Sequence, residues 1–420
     1  MAERRQGRTG TTVPVAAIAA LMLIVSAATI WARDTRITTI SIEGLQRTRE
    51  RTVLDILPVS VGDEISDTSI ELIRNELIDS GIFAEVEVRV DPIPGAPDES
   101  ELVVILDEKW TLVPVPFFST NGETSSGGLI LIESNLFGRN KQLIAAGTIG
   151  TDGFGGFLLF VDPSIRGSRW NVSTNVATGR DDTEALLTDG TLVRRYEFDR
   201  NALGIGIGYK VHPDVNVRAG LGLSSIRLID YEAGLDEREP EDTVFLEPEV
   251  RIEYDGTVPL DVLRRGPEAE TAFRYVTEEN GWELRGMARY NFGIAGYQRL
   301  RILAAGGFGD MPTLAETDIS SRDGFRTVPY QATRADDWGS GAIAYDLPVL
   351  RGGWGALVLS HYWEAGSWDS DAHARQFFYG PGAAFRVYIR QVAIPALGID
   401  YAYNLESSDF VFSLTVGARM

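Results

Sequence analysis

The chain is 420 residues long and sets 39 Lys and Arg against 60 Asp and Glu, for a formal net charge of -21. That balance argues against a nucleic-acid partner, which needs clustered cations, and the absence of Cys removes disulfides and thiol chemistry. Three scattered His residues, His212, His361 and His373, set no metal-ligand spacing, so no cofactor is expected.

At the N-terminus, Arg4, Arg5 and Arg8 precede an apolar run at 13–30, and small residues follow at Ser26, Ala27, Ala28 and Ala32. This is the order of a secretory signal, so residues 1–32 are expected to be a signal peptide cut after Ala28 or Ala32. The alternative is an uncleaved anchor, because the run is nearly long enough to span a bilayer.

Residues 37–110 read as one small α+β unit. Ile37, Ile40 and Ile42 suggest a strand that ends at Gly44, followed by a helix over 48–57 and a turn at Val61, Gly62 and Asp63. A second helix starts at Ser66 or Asp67 as N-cap, with Glu71 in its first turn. Its Ile70, Ile73, Leu77 and Ile78 are expected on one face, and Gly81 ends it. Alternating strands through Val86, Val88 and Val90 and through Leu102, Val104 and Leu106 are joined by a turn-rich stretch at 92–100.

From Thr111 to the end the hydrophobic period becomes two. Val215, Val217, Ala219, Leu221 and Leu223 alternate with Asn216, Arg218, Gly220, Gly222 and Ser224, and Trp282, Leu284, Ala288 and Tyr290 oppose Glu283, Arg285 and Arg289. One such segment would also suit a β-sandwich. Repetition about sixteen times, with charges on the second face and aromatics near strand ends, fits a closed antiparallel transmembrane barrel. Counting from the small unit, connections near Gly138, Pro213, Ala295 and Arg390 fall on the inner side and are short. Those at 179–190, 230–243, 310–338 and 368–376 fall outside and are expected to be long acidic loops.

The β-α-α-β-β order, with Glu76-Leu77-Ile78-Asp79-Ser80-Gly81-Ile82-Phe83 leading into Val86-Glu87-Val88, resembles a POTRA domain. The resemblance implies a periplasmic unit that receives polypeptides by strand addition. Residues 111–420 resemble the barrel of the BamA/TamA-like outer-membrane assembly superfamily of Gram-negative bacteria, also called the bacterial surface antigen family. The resemblance is carried by Glu133-Ser134-Asn135-Leu136-Phe137-Gly138, by Asp162-Pro163 near Gly167, and by Glu253-Tyr254-Asp255 before Arg265-Gly266. It continues through Tyr379-Gly380-Pro381-Gly382 and Ile399-Asp400-Tyr401-Ala402 to the closing strand with Phe410, Phe412 and Gly417. That strand departs from the family in ending on Met420 instead of an aromatic residue.

The expected fold is therefore mainly β: a 16-stranded antiparallel transmembrane β-barrel over 111–420, preceded by one β-α-α-β-β POTRA domain over 37–110. The family's sixth outer loop carries an Arg-Gly-Phe or Arg-Gly-Tyr tip inside the lumen. Here Arg322, Gly324, Phe325 and Arg326 occupy that loop, with the Arg displaced from the family position. A lumen Arg needs an acidic partner because an unpaired buried charge is costly. Glu364, opposite in alternation to Leu357, Leu359 and Trp363, faces inward and fits that role. Pro114 and Pro116 each remove a ladder donor from the first strand, marking a weak seam against the last. The alternative places both ahead of the barrel as a stiff link.

Enzyme signatures are missing: the chain has no nucleophile elbow or phosphate loop, and Ser360 and His361 point to opposite faces of one strand. The implied partners are outer-membrane lipid, unfolded client polypeptides at the POTRA edge and barrel seam, and periplasmic accessory proteins. The expected function is insertion or translocation of polypeptides at the outer membrane. The alternatives are a dedicated two-partner-type secretion pore and a passive porin or anchor.

Overall fold

The computed structural model describes residues 35–416 apart from 121–124, 152, 188–190, 238, 279, 313–314, 316, 320–322, 329–333, 371–372 and 390–394. The predicted signal segment, Arg322 and Gly417 lie outside the described residues.

The N-terminal unit is a four-stranded sheet in which β2 (Glu64–Ile65), β1 (Thr35–Glu43), β4 (Ala96–Glu108) and β3 (Phe83–Ile93) lie side by side in that order. Strand β1 (Thr35–Glu43) runs parallel to β4 (Ala96–Glu108), which is antiparallel to β3 (Phe83–Ile93). Helices α1 (Glu50–Ile56) and α2 (Asp67–Asp79) contribute Val53, Ile73 and Leu77 to a core with Ile37, Phe83, Leu102 and Val104, all fully buried. Ser66 caps α2, its Oγ accepting from the Ser69 amide while Ser69 Oγ accepts from the Ser66 amide, which satisfies donors that the first helical turn leaves unpaired.

The unit differs from the sequence reading in four places. Ile78 is 38 % exposed, because Leu77 already points at the sheet and the next residue is rotated ~100° around the helix. The stretch at 92–100 is mostly strand, since β3 and β4 turn only at Gly95, whose φ is +89°. A two-residue strand, β2 (Glu64–Ile65), adds to β1. Helix α1 starts at Glu50 because the backbone before it is committed elsewhere: the Gln46, Arg47 and Thr48 amides donate to Glu108, at 3.0, 3.0 and 2.9 Å.

The remainder forms a closed barrel of sixteen antiparallel strands, from Leu112–Thr120 to Asp409–Val416. The eighth strand is interrupted: Thr243–Asp255 and Val258–Leu260 both pair with Leu263–Tyr275. Alternation sorts the two faces. Leu203, Ile205 and Ile207 of the sixth strand and Leu221 and Leu223 of the seventh are exposed on the outer wall, where lipid would cover them. The intervening positions are small or polar. Among the described residues no helix is long and apolar enough to cross a membrane; the strands do the crossing.

Barrel height varies around the wall. The third and fourth strands have 10 residues each, while the fifth, sixth and seventh have 17, 21 and 19. This corrects the expectation of long loops at 179–190 and 368–376. The fifth strand runs to Leu186 and the sixth resumes at Leu192; the thirteenth reaches Ser370 and the fourteenth starts at His373. The acidic residues there are balanced across the ladder. Arg180 meets Asp199 at 2.8 Å, Arg195 meets Asp182 at 2.5 Å, and Arg375 meets Asp369 at 2.8 Å. Paired charges let a strand continue into water, where charge density alone suggests coil.

Candidate functional site

Two features of the barrel bear on function: a loop folded into its mouth and the joint that closes it. The loop spans 311–336, between the eleventh strand (Arg299–Asp310) and the twelfth (Asp337–Gly352). Its first part closes over one side of the mouth, where Met311 and Ala315 pack on Tyr196, Phe198, Ile226, Phe245 and Val276. Arg274 Nη2 donates to the Ala315 carbonyl at 2.8 Å. Its second part enters the other side. Phe325 is 3 % exposed and packs among Trp338, Trp368 and Phe378, with ring centroids at 5.9, 5.8 and 4.5 Å.

That cage is built on glycines. Trp338 stands opposite Gly307, Phe378 opposite Gly366, and Tyr362 opposite Gly382. A Cβ on any of these glycines would meet the partner's ring at 2.4, 2.6 or 2.2 Å. Each ring therefore lies flat across its neighbouring strand, where only glycine leaves room. Gly324 itself has φ +89°, a left-handed conformation suited to glycine, and lets the tip turn beside Ser340 and Leu303.

Seating Phe325 brings the next residue to Glu364. The Arg326 amide donates to Glu364 Oε2 at 2.8 Å, and Arg326 Nε donates to Oε1 at 2.5 Å. Glu364 is 0 % exposed. The guanidinium also lies 3.6 Å from the Tyr362 ring centroid, so one cation is held by a carboxylate and an aromatic face together. Four register positions toward the inner end, Asp346 accepts from Arg299 Nε at 2.8 Å, from Arg301 Nη2 at 3.1 Å and from Ser360 Oγ at 2.6 Å. Arg386 pairs with Asp400 at 2.8 Å. A cavity of about 190 Å³ separates these groups from Arg326. The chemistry available is electrostatic clamping of a loop, with Arg326, Arg299, Arg301 and Arg386 held by Glu364, Asp346 and Asp400 inside the wall.

At the joint, Phe118, Ser119 and Thr120 pair with Val416, Thr415 and Leu414; the register carries Pro116 and Pro114 toward positions 418 and 420, which lie outside the described residues. The direction of the missing donors follows from one bond. The Ser134 amide donates to the Thr111 carbonyl at 3.1 Å, so odd-numbered residues of the first strand bond to the second. Alternation then turns the backbone of Leu112, Pro114, Pro116 and Phe118 toward the last strand. Both prolines withdraw their N–H from the closing edge. Phe410 and Phe412 are exposed on the outer wall, 62 % and 39 %, with Phe410 stacked on Tyr401 at 5.2 Å.

Sequence reasoning missed the aromatic cage and the Asp346 cluster. Alternation places Trp338, Trp368 and Asp346 inward, but nothing in one chain's sequence says which inward residues meet. It also missed the anchoring of the N-terminal unit. The Arg49 amide donates to the Gly138 carbonyl at 3.0 Å, as does Thr52 Oγ1 at 2.8 Å, and buried Asn135 Nδ2 donates to Thr48 Oγ1 at 2.8 Å. Gly138, with φ +68°, cannot carry a Cβ, which would stand 2.1 Å from the Arg47 carbonyl.

Residues 135–275 match the Omp85 superfamily domain, and residues 35–109 match the POTRA domain described as the surface antigen variable number repeat. No curated protein matches the sequence. In fold the chain resembles BamA from Haemophilus ducreyi, in a structure lacking POTRA domains 1-3. Identity is 12%, the TM-score is 0.59, and 91% of this chain and 84% of that one are covered. It also resembles CdiB from Acinetobacter baumannii (13% identity, TM-score 0.61, 92% and 74% covered) and CdiB from Escherichia coli (11% identity, TM-score 0.64, 92% and 77% covered).

Proposed function

We propose, from its membership of the Omp85 superfamily as an outer-membrane β-barrel with a periplasmic POTRA domain, that this chain helps insert or translocate polypeptides at the outer membrane. The observation that carries the reading is the joint. Pro114 and Pro116 withdraw two donors from the edge that faces the last strand, and a closure short of donors can part sideways to admit a client strand. On the periplasmic side, β3 pairs among the described residues with β4 alone, leaving an 11-residue edge that accepts an extended segment by main-chain hydrogen bonding. Client folding and lipid burial supply the driving force.

The filled mouth weighs against a passive porin, since Met311, Ala315 and Phe325 occupy space that a diffusion channel needs open. Depletion of the protein followed by outer-membrane proteomics separates the remaining readings. Broad loss of barrels supports insertion, loss of one exported protein supports a dedicated secretion pore, and an unchanged outer membrane refutes both.

A further inference from the structure

A cavity of about 430 Å³ lies where α1 meets the first two inner turns of the barrel. Arg49, Arg51, Arg139, Lys141 and Arg166 line it with Asp55 and Asp162, five cations against two carboxylates, an excess of three in a chain of net charge -21. Both carboxylates are already engaged, Asp55 with Arg51 at 2.9 Å and Asp162 with Lys141 at 2.7 Å. Arg49 Nε donates to the Phe137 carbonyl at 3.1 Å. Arg139 and Arg166 are exposed and have no ion-pair partner among the described residues. Ile56, Pro163 and Ile165 add an apolar wall.

The height of the cavity in the membrane follows from strand length. The third and fourth strands, which end at Lys141 and Asp162, have 10 residues each. At ~3.4 Å per residue and a tilt of ~45° they rise ~24 Å, about the thickness of the apolar band. Lys141 and Asp162 therefore sit at the headgroup level of the inner leaflet. Aromatic side chains mark the same level on the outer wall: Phe137 is 72 % exposed, and Trp170, 47 % exposed, packs on Tyr209 at 4.8 Å.

We propose that this junction cavity binds the phosphodiester headgroup of an anionic phospholipid of the inner leaflet. Arg139 and Arg166 supply the planar donors that match phosphate oxygens, and the apolar wall meets the glycerol and upper acyl chain. The proposal rests on the membrane orientation of the barrel and is independent of whether the protein inserts or secretes clients.

The test is native mass spectrometry of the delipidated full chain, titrated separately with phosphatidylglycerol, phosphatidylcholine and soluble glycerol phosphate. Wild type should retain phosphatidylglycerol over phosphatidylcholine. The double variant Arg139→Gln/Arg166→Gln should lose retention by roughly 30-fold, about fivefold per cation. Arg139→Lys/Arg166→Lys should keep part of it, and Arg89→Gln, on the far strand β3, should keep all of it. Circular dichroism checks that the variants are folded. Equal retention of the two lipids, or undiminished retention by the Gln variant, overturns the proposal. Glycerol phosphate binding as well as the lipid does overturns the membrane source and leaves a soluble phosphate site.

Discussion

Replacing Arg326 by Ala should release the lumen loop, and the size of the effect follows from burial. Glu364 is 0 % exposed and, among the described residues, keeps the Arg326 amide alone once the side chain is removed. Breaking one partner out of a buried pair costs about 3–5 kcal/mol, and losing the stack on Tyr362 adds up to ~2 kcal/mol. At about 1.4 kcal/mol per decade, the undocked fraction should rise by roughly two to five orders of magnitude. The reporter is Thr327→Cys. Thr327 is 0 % exposed, its hydroxyl is among the buried groups with no hydrogen-bond partner, and the chain has no other Cys. Maleimide labelling through local opening tracks the open population. The rate should climb with Arg326→Ala until it reaches that of an exposed thiol. Glu364→Gln should cost less, because the amide oxygen still accepts from the backbone. The double variant should label no faster than Arg326→Ala alone, giving a coupling of about 1–3 kcal/mol. An unchanged rate in Arg326→Ala, or strict additivity in the cycle, refutes the clamp.

Further tests address the other joints. A disulfide between Ser119→Cys and Thr415→Cys, opposite each other in the closing ladder, should abolish client insertion while the barrel stays folded; full activity when oxidised would place the gate elsewhere. Gly138→Ala should cost about 1–2 kcal/mol in backbone strain alone and push on the Arg47 carbonyl, read as faster trypsin cleavage at Arg47 and Arg49. Burial pushes the Glu108 carboxyl up, but the Gln46, Thr48 and Arg47 amides outweigh it and hold the group below the usual carboxylate range. A depressed value stabilises the fold above the unfolded pKa and loses that stability as pH falls through the folded one. The POTRA melting transition, followed by circular dichroism, should therefore drop on acidification below about pH 4.3 and be less pH-sensitive in Glu108→Gln. Protease added to intact cells should nick the connection at 234–242 and spare 35–108; cleavage of the POTRA domain in sealed cells would invert the topology.

Much of this architecture is legible from period and parity. Two-residue alternation in the strand containing Leu203, Ile205 and Ile207 announces a wall with one lipid face, and the parity of turns assigns inner and outer ends. Alternation also turns Glu364 inward. It leaves Arg322 and Arg326 as equal candidates for its partner, because their order is decided by Phe325 settling among Trp338, Trp368 and Phe378. The glycines under those rings read as flexible points in one dimension and become a floor only when strands align. The tall wall at the fifth to seventh strands is hidden for a related reason: Arg180 and Asp199 are 19 positions apart, and their cancellation is invisible until the register pairs them.

The docked tip also fixes an order of assembly. The loop joins the eleventh and twelfth strands, yet its anchors lie downstream: Glu364 is 38 residues beyond Arg326, and Phe378 belongs to the fourteenth strand. A chain that has laid down only its first twelve strands offers Phe325 one wall of its cage, Trp338, and offers Arg326 neither Glu364 nor Tyr362. Contacts this distant in sequence form late because loop closure must precede them. The plug thus records completion of the C-terminal hairpins. An immature barrel should therefore be more protease-sensitive at this loop than the finished one, with docking of the tip following the strands that carry Glu364 and Phe378.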